Sequence, residues 1–371
     1  MTTTLPRAAR VVGTVTAALA LTLTTAGTAS AAPAPTQAPS VVRSAGSGDV
    51  GLFGSADPSF DGVYRQGLAI TGLRAVKATV PTSAITWLVA QQCPNGGFQA
   101  YRADTNAPCD APNPASYSGP DSNSTALAAM ALRSVGRTKQ ATRATAYLRT
   151  LQSSDGGFAY YKGGSSDVNS TGLALSALRS QAGSTAVAKR ITRATRSLRA
   201  AQLRCTATQD RGLLPYQPGG PANSLASAQA AVGLTTTLPA KARRTSAEAL
   251  TCRNGRQVGM VSTRNALLAG AASALRAGNG TAPSSFGDGP DLSATAQMTI
   301  ALAAAKQSPS TVRNAVRALK RNAAEYTSVT STPSPAALGT LLQVAAITPN
   351  SSPTSFGAVN LTRQLRATIR R

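Results

Sequence analysis

The chain has 371 residues, of which 37 are Lys or Arg, 13 are Asp or Glu and none is His, giving a formal net charge of +24. Without histidine, the chain cannot form a Ser-His-Asp or Cys-His nucleophilic site, or a zinc site with His ligands. The positive charge favours anionic cell-wall polymers, or a partner protein of the cell envelope or of transport. We expect no nucleic-acid partner, because the sequence contains no recognisable module for reading nucleic acid.

The N-terminal region predicts export. Basic residues precede an apolar stretch at 11–25, and Ala29-Ser30-Ala31 matches a small-x-small cleavage site. These features predict a signal peptide at 1–31, followed by a flexible leader rich in Ala, Pro and Ser at 32–48. No later segment has enough uninterrupted apolar residues to span a membrane, so we expect no transmembrane anchor. The mature protein is therefore expected to be secreted, with association to the cell wall as an alternative.

An internal repeat organises the rest of the chain. Residues 87–102 (WLVAQQCPNGGFQAYR) align with 147–162 (YLRTLQSSDGGFAYYK), and 197–217 form a looser third copy. After each copy come a polar group and an Ala- and Leu-rich run. Similar runs at 59–76 and 291–305 indicate two more copies. A period of about 46 to 56 residues is typical of two-helix repeats.

Each repeat predicts a pair of helices. Segments 138–152 and 188–202 carry Arg at three- and four-residue intervals, as expected for an outer amphipathic helix. The Ala- and Leu-rich runs predict inner helices that are buried on most sides, each capped by a polar residue at its start. We therefore predict an all-α fold over 49–371, an α/α toroid of five to six helix-pair repeats. About thirteen helices are counted, one too many for six pairs, and the inner or outer position of 240–280 stays open.

The four cysteines predict two disulfides in an exported chain. Cys93 and Cys109 flank one proline-rich loop, which favours pairing them and leaves Cys205 to pair with Cys252. Four cysteines allow three connectivities, so this pairing is a preference. A cysteine-based metal site is disfavoured because histidine is absent, and we assign no metal.

The turns of the repeat carry a family resemblance. Residues 152–158 read QSSDGGF and residues 92–98 read QCPNGGF. Both resemble the Gln-x-x-Asp-Gly-aromatic turns of the terpenoid cyclase and protein prenyltransferase superfamily, whose members contain prenyltransferase and squalene oxidase repeats. The resemblance implies a terpenoid cyclase-like toroid in which these turns join outer helices to inner helices.

The chain departs from this superfamily in its chemistry. Its alkene-protonating cyclases use an Asp-x-Asp-Asp cluster, and its ionising synthases hold Mg²⁺ with Asp-rich motifs. Neither pattern occurs here, and the zinc site of protein prenyltransferases requires a histidine. Only 4% of the residues are aromatic, which is few for stabilising carbocations. The sequence therefore favours a protein without catalytic activity, and we assign no catalytic residue.

A second resemblance suggests a ligand. Transcobalamin and intrinsic factor are also exported α/α toroids with disulfides, and they bind cobalamin at the mouth with the help of a second, β-rich domain. That domain is absent here, so a partner protein would have to supply it. We therefore expect a medium-sized, partly apolar ligand, such as a cobalamin-type molecule or an isoprenoid.

The expected binding site is the mouth at which the inner helices begin. Parallel inner helices sum their dipoles at this end, and the loops after the Gly-Gly turns bring aromatic rings to it. The predicted ligand-binding residues are Phe98, Tyr101, Phe158, Tyr160, Tyr161, Tyr216, Asn123, Asn169 and Asn223. The predicted turn and cap residues are Gly96, Gly97, Asp121, Gly156, Gly157 and Asp167.

Three alternatives remain open from the sequence. One is a divergent terpenoid cyclase or prenyltransferase-like enzyme. Another is a glycosidase with two carboxylates drawn from Asp121, Asp167, Asp288 and Asp291, although helix capping explains the first two more simply. The third is a basic cell-envelope protein whose ligand is the anionic surface itself. The aromatic residues could also serve only to pack neighbouring repeats.

Overall fold

The computed structural model describes residues 49–181, 183–285, 287–329 and 332–371. The predicted signal peptide and leader therefore lie outside the described residues. Within these ranges the chain forms thirteen α-helices, a short 3-10 helix and four small antiparallel hairpins. No helix of the described chain is both long enough and apolar enough to cross a membrane.

Six helices form a closed inner ring. Each packs against the next, and the last packs against the first, in the order α1, α3, α5, α7, α9, α12. Their bounds are α1 Gly62–Ala75, α3 Ser122–Ser134, α5 Val168–Ser180, α7 Ser224–Thr235, α9 Leu292–Ala305 and α12 Pro335–Ile347. The predicted all-α toroid is thus confirmed, with six repeats.

Small residues bring the inner helices into backbone contact. A Cβ on Gly72 would lie 2.4 Å from the carbonyl oxygen of Gly339, where α1 crosses α12. A Cβ on Gly233 would lie 2.2 Å from the carbonyl oxygen of Gly172, where α7 crosses α5. Only glycine permits so close an approach. The Ala- and Gly-rich runs therefore yield a narrow ring.

The remaining helices form the outer layer. Their bounds are α2 Thr82–Ala90, α4 Thr138–Thr150, α6 Thr185–Ala201, α8 Thr263–Ala277, α10 Pro309–Arg321 and α13 Leu361–Ala367, with a four-residue helix α11 Ala323–Tyr326 after α10. In α4 the buried residues Ala141, Ala144 and Leu148 share one face, and arginines occupy the other. Helix α11 explains why thirteen helices did not divide into six pairs.

The region at 240–280 departs from the other repeats. Helix α8 packs outside α7 and α9 and is therefore an outer helix. Before it, residues 236–250, here called the strap, have no regular secondary structure. The strap hydrogen-bonds to the last turn of the inner helix α9: the amide of Arg243 donates to Ala304 O (2.7 Å) and that of Thr245 to Ala305 O (3.0 Å).

The four hairpins are short. They pair β1 Phe158–Ala159 with β2 Ser166–Asp167, β3 Thr251–Arg253 with β4 Arg256–Val258, β5 Ala282–Pro283 with β6 Pro290–Asp291, and β7 Ser328–Val329 with β8 Thr332–Pro333. Three of them lead directly to the start of an inner helix. The fourth, β3–β4, follows the strap and is tied to the 3-10 helix Cys205–Asp210 by the Cys205–Cys252 disulfide.

Both disulfides pair as the sequence suggested. The second bridge, Cys93–Cys109, closes the proline-rich loop after α2, with its Cα atoms 5.9 Å apart. Within the described ranges there is no free cysteine.

The glutamine of the turn motif joins consecutive outer helices. The side-chain amide of Gln152 donates to Gly156 O (2.9 Å) in its own turn and to Arg190 O (3.0 Å) in α6. Gln92 makes the equivalent pair of bonds, to Gly96 and to Gln140 in α4. The motif that carries the family resemblance is therefore a structural connector in this chain.

Candidate functional site

One end of the toroid, here called the N-terminal face, holds the first turns of the inner helices and the loops of the following repeats. The first free amide of α3, at Ser122, donates to Tyr160 O (2.9 Å). That of α5, at Val168, donates to Tyr216 O (3.1 Å). Each loop thus reaches back over the preceding inner helix and satisfies an amide that the helix itself leaves unpaired.

The polar residues that precede the inner helices are helix caps. Asp121 accepts from the Ser124 amide (2.7 Å), Asp167 from the Ser170 amide (2.6 Å) and Asn223 from the Ala226 amide (2.8 Å). Asp291 caps α9 in the same way. Asn223 is therefore placed as a cap, although the sequence suggested a ligand contact. Capping also accounts for three of the four carboxylates considered for a glycosidase, and the fourth, Asp288, is exposed.

Two of the capping carboxyls have unusual protonation. Burial raises the pKa of Asp121 to about 7, against hydrogen bonds from Ser124 that lower it. Burial likewise raises the pKa of Asp167 to about 6. The Oδ2 atom of Asp121 is buried without a hydrogen-bond partner in the described chain, whereas Oδ2 of Asp167 accepts from the Ser170 hydroxyl (2.7 Å). Burial therefore favours the protonated form of the Asp121 carboxyl in the folded state.

The first aromatic residue after each Gly-Gly turn lies in the core. Phe98 and Phe158 have no exposed surface, and their amides donate to the hydroxyls of Thr125 and Thr171 (2.9 Å each). Phe158 pairs with Asp167 in the β1–β2 ladder, which turns its ring inwards. The structure thus places both residues away from the surface, in contrast to the expectation that they ring the mouth.

Tyr101 also lies apart from the other predicted aromatic residues. Its ring stacks on Trp87, with ring centroids 6.5 Å apart, and its hydroxyl donates to Asp49 (2.7 Å). These contacts hold the loop after α2 to the segment that precedes α1. Tyr101 therefore has a packing role in this structure.

The structure brings four tyrosines together on the N-terminal face. Tyr160 and Tyr161 meet edge to face with ring centroids 4.6 Å apart, and Tyr117 approaches Tyr161 at 6.5 Å. Burial raises the pKa of Tyr216 to about 12, and Asp167 and Tyr117 contribute to this rise, which places the Tyr216 hydroxyl on the same face. Tyr117 and Tyr216 are 56% and 38% exposed, whereas Tyr161 is 6% exposed. We call these four residues the tyrosine cluster.

A chain of side-chain amides crosses the inner ring beneath this cluster. Asn123 donates to Asn169 (3.0 Å), Asn169 donates to Gln229, and Gln229 donates to the hydroxyl of Tyr64 (3.2 Å). Because α7 and α1 face each other across the six-membered ring, the last bond spans its centre. Asn123 and Asn169 are thus brought together, and their side-chain amides bond to each other and to Gln229.

The centre of the toroid is nearly filled. Between the inner helices there is a cavity of about 10 Å³, which is about the smallest that can admit a single water. Leu238 of the strap lines it together with Tyr64, Gln229 and Gln343. An isoprenoid or a corrinoid is far larger than this cavity, so in this structure such a ligand has room only at the surface.

No metal site is evident: within the described ranges there is no group of three or more Cys, Asp and Glu residues that could hold a metal ion.

Only the comparison with solved structures finds similar proteins, and the similarity is one of fold. No protein-family model matches the sequence, and no curated protein matches it. Among solved structures, a protein from Actinoplanes is 17% identical, with a TM-score of 0.50 over 80% of this chain and 91% of that chain. The type II terpene cyclase MstE from Scytonema is 15% identical (TM-score 0.43; 69% and 68% covered). A sugar epimerase from a ruminal bacterium is 11% identical (TM-score 0.48; 86% and 92% covered). A type II terpene cyclase is thus among the structures similar to this toroid, and membership of the superfamily stays a prediction.

Proposed function

We propose that the protein is an exported, non-catalytic binding protein that holds a partly apolar ligand against the tyrosine cluster of its N-terminal face. The observation that carries the proposal is the exposure of Tyr117 and Tyr216 beside the packed pair Tyr160 and Tyr161. Packed aromatic rings with polar hydroxyls offer a large contact area at a low cost in conformational entropy.

The filled interior supports a surface mode of binding. A ligand such as a corrinoid or an isoprenoid would lie across the tyrosine rings with one side uncovered. Since high affinity normally requires most of a ligand to be buried, a partner protein would cover the other side. In our proposal this partner protein has the role that the β-rich domain has in transcobalamin.

Export is part of the proposal. The predicted signal peptide at 1–31 would deliver the chain to an oxidising compartment, where disulfides form and persist. The two disulfides are compatible with that location.

Equilibrium dialysis with cyanocobalamin and with geranylgeranyl diphosphate tests the proposal. We expect one of these probes to bind, and the double variant Tyr117→Ala/Tyr216→Ala to bind it about 5- to 150-fold more weakly, since each lost ring contact is worth roughly 0.5–1.5 kcal/mol. Met260→Ala is the matched control, because Met260 is also apolar and is 84% exposed. Equal affinity in the double variant and the control, or no binding of either probe, would contradict the proposal.

The same protein samples test the enzymatic alternative. Conversion of geranylgeranyl diphosphate by the wild type, lost in Asp121→Asn, would replace the binding proposal with acid catalysis, because asparagine still caps a helix but supplies no acidic proton.

A further inference from the structure

The hairpin β3–β4 differs from the other three hairpins because it does not lead into an inner helix. Its turn is Asn254-Gly255, and the φ values of +49° and +71° are typical of the two-residue turn that fits twisted antiparallel strands. This turn fixes the register, which gives three cross-strand pairs: Thr251 with Val258, Cys252 with Gln257, and Arg253 with Arg256. The register in turn decides which side chains share a face.

One face of this hairpin is fixed to the body of the protein. Cys252 forms the disulfide with Cys205 in the 3-10 helix, and Gln257 accepts from Nη1 of Arg204 (3.2 Å), the residue before that helix. Both Cys252 and Gln257 are half-buried. Because side chains alternate between the two faces of a strand, the other face points away from the body. Its four side chains are all exposed: Thr251, Arg253, Arg256 and Val258.

This outer face places two like charges directly opposite each other. Arg253 and Arg256 form a cross-strand pair, and like charges in that position destabilise a hairpin. Among the described residues, neither side chain forms an ion pair, and the one carboxylate of the adjoining 3-10 helix, Asp210, forms none either. Two neighbouring guanidinium groups without a counter-charge suit an external phosphate, whose oxygens accept their parallel N–H donors.

Apolar side chains lie beside this arginine pair. Val258, on the same face, is 50% exposed, and Met260, two residues further along the chain, is 84% exposed. Met260 has the largest exposed fraction among the large hydrophobic residues of the described chain. Charge alone would suit any polyanion, but exposed apolar side chains next to arginines are typical of surfaces that enter the headgroup region of a bilayer. The combination therefore favours a membrane surface over a soluble polymer.

We infer that the outer face of the hairpin β3–β4 docks the protein on a bilayer of lipids with anionic phosphate headgroups. Arg253 and Arg256 contact the phosphates, and Val258 and Met260 enter the boundary between headgroups and acyl chains. The disulfide to the 3-10 helix holds the hairpin in place, which lowers the entropy lost on docking. The net charge of +24 draws the protein to the surface, and the hairpin selects its orientation. The inference does not depend on the proposed function, since the tyrosine cluster consists of other residues.

Co-sedimentation with vesicles tests the arginine pair. We expect the protein to bind vesicles of phosphatidylglycerol mixed with phosphatidylcholine, and the double variant Arg253→Gln/Arg256→Gln to bind them at least about tenfold more weakly. The matched control is Arg133→Gln/Arg137→Gln, which removes the same charge from two exposed positions in another repeat. It should bind nearly as well as the wild type, because charges away from the bilayer are screened. Equal vesicle binding by the two double variants, or no vesicle binding by the wild type, would overturn the inference.

The apolar residues separate a bilayer from a soluble polyanion. Val258→Ser/Met260→Ser should weaken vesicle binding at least about tenfold, because two apolar side chains no longer leave water on docking. The same variant should bind soluble poly(glycerol phosphate) as the wild type does, since its charge is unchanged. All substituted positions are exposed, so the variants are expected to fold, and an unchanged thermal midpoint checks this. Vesicle binding that is unaffected in Val258→Ser/Met260→Ser would show that charge alone is responsible, and the hairpin would then be a site for soluble polyanions and not for a bilayer.

Discussion

At the scale of single residues, glycine sets the spacing between repeats. Gly156 has a φ of +92°, and a Cβ there would lie 2.6 Å from the carbonyl oxygen of Arg193 in the next outer helix. The same contact with the next outer helix recurs in the following pairs: Gly51 and Ser83, Gly96 and Arg143, Gly212 and Ala266, Gly280 and Asn314. Gly357 makes a similar contact with Lys320, but in the preceding outer helix α10. These glycines let each turn lie directly on an outer helix.

The variant Gly156→Ala should therefore push the turn after α4 away from α6. We expect a loss of about 3 kcal/mol or more in the free energy of unfolding, combining the cost of a positive φ with a clash against backbone. Gly163→Ala is the control, since Gly163 has a φ of +87° but nothing within 4 Å of the added Cβ. It should lose only about 1 kcal/mol, the cost of the left-handed conformation alone. Urea unfolding of both variants gives the comparison, and equal losses would refute the close contact.

The buried cap at Asp121 predicts a pH dependence. The folded pKa of about 7 exceeds the unfolded value of 3.8, so the folded state holds the proton more tightly. This carboxyl's contribution to stability is complete below pH 3.8 and is lost as the pH rises to about 7. Asp121→Asn keeps the cap and removes the titration. At pH 8 we expect the variant to be more stable than the wild type by about 2–4 kcal/mol, a difference that shrinks towards zero near pH 4.

The measurement is urea unfolding of both proteins between pH 4 and 8. Asp210→Asn, at an exposed position, serves as the control and should show no such growing difference. A difference between wild type and Asp121→Asn that stays constant with pH would show that Asp121 is not the titrating group.

At the scale of helices and loops, periodic features were predictable and unique ones were not. The outer helices predicted at 138–152 and 188–202 form as α4 and α6, because arginine spacing and apolar spacing agree there. Helix α8 stayed ambiguous, since its Ala- and Leu-rich sequence resembles an inner helix. In the structure it packs outside α7 and α9 and follows the strap, whose lack of regular secondary structure the Ala- and Leu-rich pattern does not reveal.

The candidate site was only partly predictable for the same reason. Tyr160, Tyr161 and Tyr216 follow repeat positions and were identified from the sequence. Tyr117 was missed, because it lies between α2 and α3 but beyond the loop that Cys93–Cys109 closes, and so outside the aligned repeat copy at 87–102. Phe158 was misplaced because a two-residue strand leaves no alternating pattern from which its inward direction could be read.

At the scale of the whole molecule, the ring is closed by residues far apart in sequence. The amide of Gly51 donates to Arg370 O, and the amide of Arg370 donates to Leu52 O (2.9 Å each). The Arg370 side chain pairs with Asp49 and donates to Gly54 O and Ala56 O (2.8 Å each). Joining segments more than 300 residues apart costs chain entropy that only the completed ring repays.

Removal of the Arg370 side chain should therefore weaken the closure. In Arg370→Ala, Asp49 would keep its bond from Tyr101 but lose its only partner of opposite charge in the described ranges. Since breaking a buried ion pair leaves an uncompensated charge, we expect a loss of about 3–5 kcal/mol in the free energy of unfolding. Hydrogen exchange should accelerate first at the amides of residues 51–54 and only later in α5, which lies on the far side of the ring. Arg371→Ala, at an exposed neighbour, is the control, and a loss in Arg370→Ala no larger than in that control would show that the ring closes without this contact.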